Sequence, residues 1–125
     1  MKSYTDIEQS KTLTKILPFK SADMYYREWK RDTKDMRIAH VGTADKLDLP
    51  CWSLAALLGV LPSRLFDATP KRKELYLLPD LDKSYCFYRQ FAVKAKGKIY
   101  LLTEGEYLID ACVAMIEKLH ELNLL

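Results

Sequence analysis

The stretch Pro50–Pro62, PCWSLAALLGVLP, holds thirteen residues and no charge. Its spacing predicts a short helix. Pro50 suits the first turn, where its missing amide hydrogen has no intrahelical partner to lose. Leu54, Leu57, Leu58 and Leu61 form one apolar stripe, and Trp52, Ala55, Ala56 and Gly59 form a second. A short helix that is apolar all round is normally buried on most sides. The small residues of the second stripe would let a neighbouring backbone come close, against the weak helix propensity of Gly59. Pro62 ends the segment.

The Cys-Trp-Ser triplet beside Pro50 raises a second reading. A helix N-terminus lowers a thiol pKa, so Cys51 could be a nucleophile. It would then need a base, His40 or His120, held by a third group. Free cysteines are usually buried, and no spacing brings either histidine to Cys51. Packing beside Trp52 is the preferred reading.

Outward from this hub, the N-terminal side predicts a helix and a hairpin. Thr5-Asp6-Ile7-Glu8 fits a capping box, and Ile7, Leu13, Ile16 and Leu17 follow as a sparse stripe up to Pro18. Met24, Tyr26 and Glu28 alternate with Tyr25, Arg27 and Trp29, which reads as a strand within Ser21–Lys30. The charged cluster Lys30–Asp35 reads as a turn, Met36–Val41 as the returning strand, and Gly42–Leu49 as a loop. On the C-terminal side Ser63–Arg72 reads as irregular. Glu74–Leu78, Ser84–Val93 and Lys98–Leu102 read as three strands separated by PDLDK and by Lys96-Gly97. Such short connections favour an antiparallel meander. The last helix carries Leu108, Cys112, Met115, Ile116, Leu119 and Leu122 on one face. Thr103-Glu104-Gly105-Glu106 precedes it as a capping box.

The fold class expected is therefore α+β. One domain over residues 1–125 would place an antiparallel sheet, a three-stranded meander plus a hairpin, against about three helices. A chain of this size buries roughly two-thirds of its unfolded surface and needs no staple. Three cysteines without CxxC spacing make neither a disulfide framework nor a zinc ribbon, and suit a reducing cytosol. MKSYTDIEQSK has no apolar core of a signal peptide, and the uncharged run Leu49–Ser63 is too short to span a bilayer. These features predict a cytoplasmic protein with no membrane partner.

Several blocks together resemble a known group. TDIEQSKTLTKILP, SADMYY, LPCWSLAALLGVLP and DACVAMIEKLHEL resemble short uncharacterised proteins of gut Bacteroides-type bacteria and their prophages or mobile elements. The resemblance covers both ends and the middle of the chain. It implies a bacterial or phage-derived cytosolic protein and transfers no site residue.

Catalytic chemistry finds little support. The four glycines, at 42, 59, 97 and 105, form no phosphate-binding pattern. The two histidines and three cysteines lack ligand spacing, and no carboxylate pair stands out. No catalytic, cofactor or metal residue is assigned, and a non-enzymatic binding module is expected. Two surfaces are candidates. Tyr25, Tyr26 and Trp29 cluster where charge is dense and could meet a protein partner or a second copy, or simply pack a hairpin. Lys71, Arg72, Lys73, Arg89, Lys94, Lys96 and Lys98 interleave with sheet aromatics and could contact nucleic acid as an accessory protein does. Against this, lysines at turns and edges also discourage aggregation. The net charge of +3 is modest for a dedicated nucleic-acid binder.

Overall fold

A computed structural model describes residues 2–27, 39–65, 73–90 and 99–125. The chain is α+β, with three α-helices and two antiparallel sheets among these residues. It gathers into two compact units, Met1–Val60 and Leu61–Leu125. The predicted hairpin and meander thus belong to separate sheets, and each gains a strand.

The first unit contains α1 (Ile7–Thr14), a single 3-10 turn (Phe19–Ser21), β1 (Met24–Tyr26), β2 (Ala39–Val41), β3 (Leu49–Cys51) and α2 (Leu54–Val60). Its strands run in the order β2-β1-β3. α1 is capped one residue later than expected. Asp6 accepts the Gln9 amide at 2.8 Å, and the Gln9 side chain accepts the Asp6 amide at 3.1 Å. Thr5 is thereby available for the interior, where it is fully buried. Its hydroxyl accepts the Trp52 amide at 3.1 Å and lies 2.8 Å from the Ser10 hydroxyl. Its carbonyl accepts both the Tyr26 hydroxyl at 2.7 Å and the Cys51 thiol at 3.3 Å. Its amide donates to the Trp52 carbonyl at 2.9 Å. Tyr26, Leu49 and Cys51 form the core here, with Ile7, Met24 and Ala39 against them.

The helix expected from Pro50 begins only at Leu54. Pro50 and Cys51 instead pair with Tyr25 and Met24. Because β3 is the last strand of its sheet, a residue without an amide hydrogen is tolerated there. Ser53 then starts α2. Its hydroxyl accepts the Ala56 amide at 3.2 Å, while the Asp23 carboxylate takes both the Ser53 hydroxyl and, at 2.9 Å, the Ser53 amide. α2 is less enclosed than its composition suggests: Leu57 is buried, but Ala55, Leu58 and Gly59 are exposed. A Cβ added at Gly59 would meet nothing within 4 Å, so among the described residues no backbone closes on the small face at Gly59.

The second unit contains β4 (Arg64–Leu65), β5 (Lys73–Pro79), β6 (Ser84–Gln90), β7 (Ile99–Gly105) and α3 (Leu108–Glu121). The strands run β4-β5-β6-β7, all antiparallel. β7 continues through Thr103–Gly105, the residues expected to cap α3. The cap comes from Asp110 instead, whose carboxylate accepts the Tyr107 amide at 3.1 Å. Gly105 is needed for closeness, since a Cβ there would lie 2.9 Å from the Ala111 nitrogen. α3 packs on β6 and β7 and buries Ile109, Cys112, Met115, Ile116 and Leu119, whereas Leu122 is exposed. Tyr88 is fully buried and donates its hydroxyl to the Pro62 carbonyl at 2.6 Å.

Two stability measurements check this account. Thr5→Val keeps the shape but leaves the Trp52 amide without its acceptor, and chemical denaturation should show a loss of about 1–3 kcal/mol. Thr5→Ser should lose less. Gly59→Ala should raise stability by about 0.5–1 kcal/mol, because the site is open and helical; a loss would mean that Gly59 faces a neighbour after all.

Candidate functional site

The residues with chemical potential fall into three groups. The first surrounds Cys51. Burial pushes its thiol pKa up, against the opposing hydrogen bonds from Thr5 and Tyr26. The thiol donates to the Thr5 carbonyl, so its proton is held in the interior. Strand register places His40 opposite Tyr25, and its ring stacks on the tyrosine at 5.4 Å and 22°. Cys51 is level with Met24, whose side chain lies on the other face of β1. His40 is therefore no base for Cys51. His120 is exposed in the last turn of α3.

The second group is a thiol pair that linear spacing gave no reason to join. Cys86 on β6 and Cys112 on α3 are both fully buried, and the neighbouring Cys112 thiol together with burial pushes the Cys86 thiol well above its ordinary pKa. The Thr103 hydroxyl sits beside them, 2.7 Å from the Ala111 carbonyl and 3.3 Å from the Cys86 carbonyl. No group of three potential metal ligands occurs among the described residues.

The third group is a surface. α3 takes the side of the sheet that carries Cys86 and Tyr88. The alternate residues of β6 form three cross-strand rows on the other side: Leu78–Tyr85–Glu104, Tyr76–Phe87–Leu102 and Glu74–Arg89–Ile99. The Tyr76 and Phe87 rings stack at 5.5 Å and 10°, and the Arg89 guanidinium lies 5.9 Å from the Tyr76 ring centre. Leu78, Tyr76 and Leu102 are 50%, 41% and 51% exposed, high for large apolar groups. Lys83 reaches Glu104 at 3.3 Å on the rim.

These positions sort the residues expected to make contacts. Tyr26 is a core residue, because its ring is buried and its hydroxyl is spent on Thr5. Tyr25 is half-buried in its stack with His40. Lys73 is 2% exposed, with its ammonium 4.7 Å from the Tyr100 ring centre, so it does not present charge to a phosphate backbone. Arg89 is exposed. Trp29, Lys71, Arg72, Lys94, Lys96 and Lys98 lie outside the described residues. Sequence reasoning passed over Tyr76, Leu78 and Leu102 as surface groups. Their alternation was readable, but which face the last helix would cover was not.

No family model, curated protein or solved structure matches the chain. No helix among the described residues is long and apolar enough to cross a membrane.

All three cysteines are buried. Maleimide at neutral pH should therefore label none of them in the native chain and all of them after denaturation. Rapid native labelling at Cys51 would restore its reading as a nucleophile.

Proposed function

We propose that the chain is a non-enzymatic protein-interaction module that acts through the open face of β5-β6-β7, and that a second copy of the chain occupies this face. The exposed rows centred on Tyr76, Phe87 and Leu102 carry this reading. Aromatic residues and arginine are favoured at the centres of protein interfaces. The charged groups around the rows are balanced, Lys83 and Arg89 against Glu74 and Glu104. A patch with both signs can meet its own copy across a two-fold axis, positive against negative.

The same balance ranks the second reading lower. A nucleic-acid accessory role is favoured by one observation, the flat Tyr76–Phe87 stack beside Arg89, which suits unpaired bases. Phosphate binding also needs a surplus of positive charge, and the four charged groups named above supply none. A cytoplasmic setting and an origin in phage or mobile elements, as the resemblance implies, complete the proposal.

Sedimentation velocity over a concentration series tests it. The parent chain should form a concentration-dependent dimer, and a Tyr76→Ser/Leu102→Ser variant should stay monomeric with its circular-dichroism melt intact. Should that variant unfold, Leu78→Glu replaces it. A parent that remains monomeric throughout overturns the proposal. A shift of single-stranded DNA that is strongest at low salt and lost in the variant would move the function to nucleic acid.

A further inference from the structure

The first unit holds a cleft of about 480 Å³, well within the range that encloses a small organic ligand. Its floor is the buried run Asp48-Leu49-Pro50 at the start of β3. One wall is the end of α1, where Lys11 and Lys15 stand four residues apart and so share a face. Lys46, from the turn before β3, also lines it, as does Phe19, 43% exposed on its 3-10 turn.

The charges are positioned by local structure. Asp45 and Asp48 bind each other twice: the Asp48 amide donates to the Asp45 carbonyl at 3.0 Å, and the Asp45 amide donates to the Asp48 carboxylate at 2.9 Å. This closes the turn that carries Lys46 and occupies part of the one carboxylate in the cleft. Glu8 engages Lys11 at 3.3 Å, well out in solvent. Lys15 and Lys46 are exposed, and neither is in an ion pair among the described residues. The lining thus combines three lysines and one carboxylate with apolar Leu49 and Pro50 and the Phe19 ring. The C-terminal end of α1 opposes an anion through its partial negative charge, roughly half an elementary charge at most. The two positive charges of Lys15 and Lys46 outweigh that end and the Asp48 carboxylate together.

We propose that this cleft binds a small aromatic phosphate monoester, its ring against Phe19, Leu49 and Pro50 and its phosphate between Lys15 and Lys46. The ring explains the apolar surface left open beside charged groups. A tetrahedral dianion explains ammonium groups arriving from two separate elements, since lysine binds phosphate as a point charge rather than as a planar fork. A monoanionic carboxylate would answer only one of them.

Isothermal titration with naphthyl phosphate tests the assignment, with naphthol, inorganic phosphate and naphthoate as companion ligands. Naphthyl phosphate should bind saturably at one site per chain. Each companion should bind about tenfold more weakly or worse, a difference of about 1.4 kcal/mol. The Lys15→Gln/Lys46→Gln variant should lose about tenfold in affinity with its thermal midpoint unchanged, because both side chains are exposed. Affinity should also fall as salt rises. The proposal is overturned by absence of saturable binding, by equal affinity in the double variant, or by naphthol matching the phosphate ester. Tighter binding of naphthoate would refute the phosphate assignment itself. None of these residues lies on the open sheet face, so the result is independent of whether the chain dimerises there.

Discussion

The first unit is organised around the satisfaction of one buried residue. Thr5 brings an amide, a carbonyl and a hydroxyl into a buried interior, and each would be costly if unpaired. The Trp52 backbone, the Tyr26 hydroxyl, the Cys51 thiol and the Ser10 hydroxyl answer them. These partners come from β1, β3, α1 and the link into α2. Each bond is worth only about 1 kcal/mol net, but the penalty for breaking the set is larger because the groups remain buried. The chain entry, three elements and the triplet Cys51-Trp52-Ser53 are therefore positioned together. Each member of the triplet has a structural partner: the thiol and the Trp52 amide bond to Thr5, the indole donates to Ser21 at 3.0 Å, and the serine caps α2.

The second unit follows a different logic. Its sheet is held by local antiparallel pairing, and α3 supplies one side of the core. Gly105 and Thr103 set how near the helix comes, the first by having no side chain and the second by a hydroxyl between two carbonyls. One helix covers one face of a sheet. The stacked rings and leucines opposite follow from that geometry, and they carry the proposed interaction.

What was legible in the sequence was mostly local. The apolar period of α3 extends over enough turns to be unmistakable, and the alternation in Ser84–Val93 with PDLDK before it predicts the meander. The α1 cap shows the limit. TDIE and DIEQ both fit a capping box, and the choice is made by Thr5 bonding to Trp52, 47 residues away. Pro50 was read as a helix start because its missing amide hydrogen suits a first turn; that the same lack also suits a sheet edge shows only once the sheet is known. The Cys86–Cys112 pair and the lysine-rimmed cleft join residues from separate elements, so no spacing rule reaches them. Tyr26 and Lys73 were misjudged as surface groups because side-chain burial depends on which face a neighbouring element takes.

Pro50 has a meaning beyond the local bend. Edge strands offer rows of unpaired amides that can recruit strands from other chains. On β3 the middle residue of three offers no amide hydrogen, and the strand is too short to template much else. The first unit therefore has one sheet edge, β3, that is a poor template for a further strand. Along that edge, association falls to side chains rather than to strand pairing.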